Sequence, residues 1–314
     1  MFCRFCGKQI LDDSVFCRYC GKNQSATVST SSSHNDDDDF FALDEFFSEA
    51  VSQKKKDDEI DRMFDIQDGV LVKYKDPFSY VAEIVIPECV TEIGEKAFQM
   101  CTKLTKVTIH SGVTRIGNSA FRCCKKLAKV TLPQNLDRIG EDTFHDCESL
   151  TSITIPAGVT EIGKGAFWGC KSLTSINIPN GVTSLGGLAF CDCEALEFVS
   201  LPSSLRQMGG CVFKGCKSLS QITIPYGITT LKESVFEECS SLTSVSLPDS
   251  LTTISFWTFS FCTALSSITI PPHVAFIDEE AFGDCTNLQY ISIPSTTRLG
   301  LNVFKNCPGR VTRY

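Results

Sequence analysis

Four cysteines near the amino terminus have the spacing of metal ligands. Cys3 and Cys6 form one C-x-x-C pair, and Cys17 and Cys20 form a second pair after ten intervening residues. Two such pairs can place four thiolates in a tetrahedron around Zn²⁺. Because all four positions are cysteine, no coordination site remains for water. The spacing therefore predicts a structural zinc ion and not a catalytic one.

The segment that carries these cysteines resembles the short zinc-ribbon modules found at the start of many bacterial proteins. Residues 1–22 carry four basic and two acidic side chains, and the basic groups can offset the charge of the four thiolates. Aromatic residues beside them are compatible with contact to nucleic acid. A net charge of +2 is weak for binding a polyanion, however. We therefore expect a structural or protein-docking role, and nucleic acid is an unlikely partner.

A second group of cysteines recurs through the rest of the chain with a period of 23 residues, and one phenylalanine per repeat follows the same period. Such a period is typical of a solenoid, in which each unit buries its apolar side by stacking on its neighbours. We expect two buried columns, with cysteine serving as a small packing residue. The columns are Cys101, Cys124, Cys147, Cys170, Cys193, Cys216, Cys239, Cys262 and Cys285, and Phe98, Phe121, Phe144, Phe167, Phe190, Phe213, Phe236, Phe259 and Phe282.

One repeat, residues 147–169, shows how each unit is expected to fold. Ile153 and Ile155 alternate with polar residues, which is the pattern of a half-buried strand. Pro156 ends the strand because it has no N–H to donate. Gly163 is expected to permit a backbone turn that other residues disfavour. The remaining residues close the coil as a short helical or irregular segment.

The repeated pattern L-x-x-I-x-I-P-x-x-V-x-x-I-G-x-x-A-F-x-x-C resembles the BspA-like class of leucine-rich repeats over roughly residues 66–307. The resemblance implies a curved solenoid with a parallel β-sheet on its concave face and no catalytic machinery. The residues that begin at Asp68 look like the strand pair that opens arrays of this family. The expected fold is an α/β-type repeat solenoid, with short helical or irregular segments outside the sheet, plus a small N-terminal zinc ribbon.

Composition divides the chain into three predicted parts. These are a zinc ribbon at 1–22, an acidic, serine-rich linker at 23–65 and a solenoid of about ten coils at 66–314. The chain has a net charge of −8, and most of this charge belongs to the linker. The repeat array is close to neutral, so it offers no general electrostatic field for nucleic acid.

The linker contains an apolar stretch that could form an amphipathic helix at residues 40–53. Phe40, Leu43, Phe46 and Phe47 would lie near one face of that helix. Two roles remain open for it. It could pack over the first coil as a cap, or it could be a docking helix that the groove of another protein captures.

The outward-facing strand positions of the array are mostly serine and threonine, which are ordinary solvent-facing residues. Four positions differ: Lys106 and Lys129 near one end, and Phe198 and Tyr290 further along. An exposed aromatic side chain on a polar sheet can anchor a partner. We therefore predict that a protein or peptide binds this face near Phe198 and Tyr290.

The sequence also bears on the compartment. We expect no membrane span, because no stretch approaches eighteen consecutive apolar residues. The first residues lack the basic and apolar regions of a secretory signal. With 18 cysteines in a long chain, reduced thiols and metal ligands are favoured over a disulfide scaffold. The expected location is the cytoplasm.

No arrangement of residues indicates an enzyme. The four histidines are scattered, and there is neither a glycine-rich phosphate loop nor a nucleophile elbow. The predicted function is a non-catalytic protein–protein interaction module. Two alternatives remain: a cell-surface adhesin exported without a visible signal, and a nucleic-acid-associated regulator that acts through the zinc ribbon. The sequence does not determine the oligomeric state.

Overall fold

The computed structural model describes residues 58–77 and 80–314 of the 314-residue chain. The described residues wind into a parallel-strand solenoid of about eleven turns. Equivalent residues of successive turns lie beside each other with a shift of 23 residues, as when Ser175 pairs with Phe198. A parallel pairing in this register places each apolar residue on its counterpart in the next turn, so the core is one continuous column.

A hairpin covers the first turn of the solenoid, and a helical segment at residues 58–63 precedes this hairpin. Strands β1 (Phe64–Gln67) and β2 (Val70–Tyr74) pair antiparallel. Asp68 and Gly69 connect them, both with positive φ, as a two-residue Asp-Gly hairpin turn requires. Phe64, Leu71 and Tyr74 are buried, which covers the open end of the array. Of these two strands, only β2 lies within the stretch from Asp68 onward that the family resemblance implied as the opening strand pair.

Most of the following turns contribute a short strand, and in all of these but the last at least one residue points inward. These strands pair in parallel within groups of two or three. They are β3 (Glu83–Val85), β5 (Lys106–Thr108), β7 (Lys129–Thr131), β10 (Ser175–Asn177), β12 (Phe198–Ser200), β14 (Gln221–Thr223), β16 (Ser244–Ser246), β18 (Ser267–Thr269), β20 (Tyr290–Ile293) and β22 (Arg310–Arg313).

A second column of two-residue strands runs along another side of the coil. It was not predicted, because two residues are too few to show a period. The strands are β4 (Glu92–Ile93), β6 (Arg115–Ile116), β8 (Arg138–Ile139), β9 (Glu161–Ile162), β11 (Ser184–Leu185), β13 (Gln207–Met208), β15 (Thr230–Leu231), β17 (Thr253–Ile254), β19 (Phe276–Ile277) and β21 (Arg298–Leu299).

The third side of each coil is a turn segment that carries the phenylalanine and cysteine columns. Neighbouring phenylalanine rings stack with centroids 5.0–5.7 Å apart from Phe98 to Phe282. The thiol of each cysteine from Cys124 to Cys285 donates to the carbonyl of the phenylalanine 26 residues earlier, at 3.0–3.3 Å. The predicted buried columns are confirmed, and the thiol adds a hydrogen bond that an alanine would lack.

Two details of the predicted repeat were wrong. Residues 152–154 form no strand, although Ile153 and Ile155 are buried as expected. Gly163 does not have a positive φ. Glycine is favoured there because a Cβ atom would lie 2.8 Å from the backbone nitrogen of Glu141 in the preceding coil. The constraint is the close approach of two coils and not the conformation of the glycine itself.

Candidate functional site

The exposed side chains of the first column of strands form one surface, here called the strand face. These strands are β3, β5, β7, β10, β12, β14, β16, β18, β20 and β22. Its residues flank the buried central residue of each strand, as Lys106 and Thr108 flank Val107. The four residues predicted to bind a partner all lie on this face. Phe198 begins β12 with 53% of its surface exposed, and Tyr290 begins β20 and is also exposed.

The two lysines of the strand face lie side by side near the first coil. Lys106 on β5 pairs in register with Lys129 on β7. The Lys106 Nζ also lies 2.8 Å from the Glu83 carboxylate on the neighbouring strand, so part of its charge is compensated. Phe198 lies four turns beyond Lys106, or roughly 19 Å at the usual spacing of parallel strands. The lysines and Phe198 therefore do not form one compact site.

Phe198 lies instead at the edge of a groove where the sheet is interrupted. Strands β12 and β14 are neighbours, but they belong to different sheets and share no ladder hydrogen bonds. The groove extends over β12, β14 and β16 and has a volume of about 810 Å³, and its lining includes Phe198, Gln221, Tyr226 and Ser244. A groove with aromatic walls and a polar floor can bury an apolar side chain while its polar groups bind a backbone.

Tyr226 is the residue of this groove that the sequence reasoning missed. It follows Pro225, at the end of the strand segment, and 76% of its surface is exposed. The equivalent positions in the neighbouring repeats hold Ser203 and Asp249. A large aromatic residue at a position that is otherwise small or polar was a readable signal. The position lies outside the alternating strand residues, so the strand pattern does not include it.

A smaller groove opens between β16 and β18, with a volume of about 400 Å³. Tyr314 lines it, and the Tyr314 hydroxyl donates to the Ile270 carbonyl at 2.6 Å. Tyr290 lines neither of these two grooves. The structure thus brings Phe198 together with Tyr226 and leaves Tyr290 four turns away on the same face.

A cluster of ionisable groups surrounds His145 in the turn segments. Its Nδ1 lies 3.3 Å from Asp142 Oδ1, and its Nε2 lies 3.6 Å from Asp146 Oδ2. The imidazole stacks on Trp168 with ring centroids 4.5 Å apart, and Arg122 donates to Asp142 at 2.9 Å. His145 is buried. The stacking of His145 on Trp168 and the bond from Arg122 to Asp142 join neighbouring coils. Because the imidazole is buried among these residues, a substrate has no access to it.

Burial raises the pKa of the thiols in the interior column well above the ordinary value, so these thiols stay protonated. This holds for Cys124, Cys147, Cys170, Cys193, Cys216, Cys239 and Cys262. For Cys285, the hydrogen bond with Cys307 raises the pKa first and burial second. The same hydrogen bond lowers the pKa of Cys307. Thiols that are buried and protonated are poor nucleophiles and poor metal ligands.

The other predicted sites fall outside the described residues. These are the zinc ligands Cys3, Cys6, Cys17 and Cys20, and the helix residues Phe40, Leu43, Phe46 and Phe47. Within 58–77 and 80–314, no group of three or more His, Cys, Asp or Glu side chains is arranged to hold a metal ion. Over the same residues, no helix has the length and apolar character needed to cross a membrane.

Comparison with known families matches both parts of the chain. A model described as a BspA type leucine rich repeat region, in six copies, matches residues 77–197 and 185–309. A zinc-ribbon domain model matches residues 2–23. No curated protein matches the chain.

Several solved structures are similar to the chain. A leucine-rich repeat protein from Bacteroides ovatus is 28% identical and covers 76% of this chain and 87% of its own, with a TM-score of 0.38. The T. pallidum leucine rich repeat protein is 28% identical over 62% of this chain and 82% of its own, with a TM-score of 0.45. A leucine rich cell surface protein from Faecalibacterium prausnitzii is 24% identical over 78% of this chain and 90% of its own, with a TM-score of 0.45.

Proposed function

Because the chain belongs to the BspA-type leucine-rich repeat family, we propose that it is a non-catalytic interaction protein whose strand face binds a protein or peptide segment. The observation that carries the proposal is the groove that extends over β12, β14 and β16. It has exposed aromatic rings, Phe198 and Tyr226, on its walls. Aromatic residues that lie in a groove and lose water on binding are typical binding hot spots.

The remaining strand-face residues extend this site along the array. Tyr290 lies four turns from Phe198 on one side, and Lys106 lies four turns away on the other. A segment bound in the groove and extended by about six residues reaches either one, since an extended chain advances roughly 3.3 Å per residue. We assign Lys106, Lys129 and Tyr290 to peripheral contacts. Peripheral contacts contribute less affinity than a central pocket.

The binding role of the groove is tested by substituting both of its rings. Phe198→Ala with Tyr226→Ala is expected to weaken binding of the native partner at least tenfold, because single hot-spot truncations each cost about 2 kcal/mol. The measurement is quantitative affinity capture from native cells, followed by titration of the recovered partner. Val85→Ala is the matched control, since Val85 is an exposed apolar residue of the strand face outside the groove. Equal retention of the partner by all three proteins would exclude the groove.

We further propose that the amino-terminal ribbon holds one structural zinc ion. The zinc-ribbon match supports this, together with the chemistry of the donor set, which is four cysteines in two C-x-x-C pairs. Cys3, Cys6, Cys17 and Cys20 would be the ligands. Four thiolates complete the coordination of zinc, so the ion would stabilise the fold of a segment too short for a hydrophobic core.

Native mass spectrometry is expected to find one zinc ion per chain. Cys3→Ser with Cys20→Ser should reduce this to none, because two thiolates bind zinc far more weakly than four. The matched control is Cys170→Ser, which changes a buried thiol of the array and should leave the zinc content at one. Zinc retained by the Cys3/Cys20 variant would show that other residues hold it.

We propose a reducing compartment, the cytoplasm, as the location. The described part of the chain holds fourteen cysteines and no disulfide bond between them. Cysteines in this number without disulfides are typical of proteins that do not meet an oxidising environment. Fractionation of native cells tests the proposal, and recovery of the protein at the cell surface would favour an adhesin instead.

A further inference from the structure

Three aromatic residues occur together in a single turn segment, away from the strand face. They are Phe256, Trp257 and Phe261, here called the turn patch, and each exposes 40–46% of its surface. The Phe256 and Trp257 rings meet edge to face, with centroids 5.5 Å apart and an interplanar angle of 82°. The segment follows the two-residue strand β17 and precedes the buried Cys262. It therefore lies on a different side of the coil from the Phe198 groove.

The backbone beneath the turn patch is unfavourable for aromatic residues. Trp257 has φ of 54° and Phe261 has φ of 60°, in the left-handed region that bulky side chains rarely adopt. The array imposes this conformation, since the Trp257 N–H donates to the Glu279 carbonyl at 3.2 Å and the Phe261 N–H to the Gly283 carbonyl at 2.9 Å. These bonds belong to ladders between the coils.

The other coils also have a positive φ at these two positions, and most of them place residues other than glycine there, such as Leu188 at the first and Cys123 at the second. Glycine occurs at Gly165 in the first position and at Gly169 and Gly215 in the second. Glycine adopts this conformation without the steric cost that a Cβ atom brings. The positive φ is therefore a property of the repeat, and what sets Trp257 and Phe261 apart is an exposed aromatic ring at each position. The packing of the fold does not require these exposed rings, and a cluster of exposed apolar side chains is typical of an interaction surface.

The turn segments on either side of the patch are strongly acidic. The residues equivalent to Phe256 are Glu233 and Glu279, and those equivalent to Phe261 are Glu238 and Asp284. The charged residues of the two flanking segments are Lys232, Glu233, Glu237, Glu238, Asp278, Glu279, Glu280 and Asp284.

Two of these carboxylates are already paired. Lys214 lies 2.9 Å from Glu237, and Lys305 lies 2.9 Å from Glu280. Even with both lysines counted, carboxylates outnumber the basic groups around the patch. An acidic surface repels phosphate-bearing ligands and attracts cations. The indole face of Trp257 adds a cation–π site.

We propose that the turn patch is a second docking surface, which binds a polypeptide segment carrying lysine or arginine on both sides of an apolar side chain. The apolar side chain packs on Phe256, Trp257 and Phe261. The flanking basic groups meet the carboxylates of the neighbouring coils, such as Glu238 and Glu279. The array then has two binding surfaces on different sides: the groove at Phe198 and this acidic aromatic strip.

The experiment uses the full chain and a displayed library of random twelve-residue peptides. Peptides are selected on the wild-type protein and depleted on the double variant Trp257→Gly, Phe261→Gly, so that only ligands of the patch remain. The survivors are expected to contain lysine or arginine around an apolar residue. Synthetic copies should bind the double variant at least tenfold more weakly than the wild type. They should also bind the wild type more weakly at 300 mM than at 50 mM salt.

The variants separate binding from folding. Because glycine suits both backbone positions, the double variant should melt at the same temperature as the wild type or higher. Glu238→Gln with Glu279→Gln keeps the rings and should weaken peptide binding by removing charge alone. The Phe198→Ala, Tyr226→Ala variant should bind these peptides normally, so a failure here is distinguishable from a failure of the strand-face groove.

Several outcomes would overturn the proposal. One is that no peptide survives depletion, and another is that the survivors lack basic residues or ignore salt. Concentration-dependent dimerisation that the double variant abolishes would assign the patch to a second copy of the chain. Peptide binding that becomes tighter after zinc chelation would assign it to the basic residues 1–22 of the same chain.

Discussion

Replacing Phe190 with alanine is expected to lower the free energy of unfolding by about 3–5 kcal/mol, the range for truncating a buried phenylalanine. Phe190 lies in the middle of the ring column and is fully buried. Its ring stacks on Phe167 at 5.3 Å and on Phe213 at 5.6 Å, so one substitution removes two stacking contacts. The resulting cavity faces two coils at once, and neither can move to fill it without breaking its ladder hydrogen bonds. Urea unfolding followed by circular dichroism measures the loss.

Phe198→Ala provides the matched control for this substitution. Its residue type is the same, it lies in the next repeat, and 53% of its surface is exposed. Its substitution should change the unfolding free energy by no more than about 0.5 kcal/mol, as is usual for surface positions. Similar losses for the two variants would mean that the ring column does not carry the stability of the array.

The second large effect is a steep loss of stability in alkali. Eight thiols of the interior column have a raised pKa in the folded chain: Cys124, Cys147, Cys170, Cys193, Cys216, Cys239, Cys262 and Cys285. In the unfolded chain a thiol titrates near its ordinary pKa of about 8.5. Between the two pKa values the unfolded state releases protons that the folded state retains.

The sign of the effect follows from this difference. Below about pH 8.5 both states are protonated, and the contribution of the thiols to stability is fully present. As the pH rises above the unfolded pKa towards the folded one, deprotonation favours the unfolded chain. Each thiol then costs at most about 1.4 kcal/mol per pH unit, so eight thiols together approach about 11 kcal/mol per pH unit. Cys307, whose pKa is lowered, acts in the opposite direction as a single group.

The measurement is the urea midpoint between pH 7 and pH 9.5, a range that stays below the titration of most lysine and tyrosine side chains. The midpoint should be nearly constant to about pH 8.5 and then fall steeply. Burial also raises the pKa of Cys191 and Cys211 outside the column, which makes ten such thiols. Cys193→Ala with Cys216→Ala removes two of the ten and should make the decline shallower by about a fifth. A midpoint that is flat to pH 9.5 would contradict burial of the column.

Both predictions concern the interior, and they explain why recognition is left to the exterior. Phenylalanine rings and protonated thiols fill the centre of every turn, where they have no access to a ligand. The residues that vary between turns are those that face solvent. Phe198 and Tyr226 vary on one side, and the turn patch of Phe256, Trp257 and Phe261 varies on another. The regular core keeps these variable residues at fixed spacing, which suits a scaffold for binding surfaces.

The exposed residues show where sequence reasoning reached its limit. Phe198 could be found because it breaks an alternating pattern of serine and threonine. Its partner in the groove, Tyr226, lies outside that pattern. The groove is lined by residues of β12, β14 and β16, which belong to three successive turns, so the local residues of one strand do not reveal it. Tyr290 shares the predicted pattern with Phe198 but does not share the groove.

The amino-acid sequence by itself determined the stacked coil and the contents of its interior. A 23-residue period in phenylalanine and cysteine has one physical solution, in which equivalent residues lie on each other in successive turns. Only the tertiary structure decided the backbone conformation of each turn. The positive φ at Trp257 and Phe261 and the glycine at Gly163 follow from the distance and hydrogen bonds between neighbouring coils. Those contacts join residues about 23 positions apart, so no local pattern of residue types reveals them.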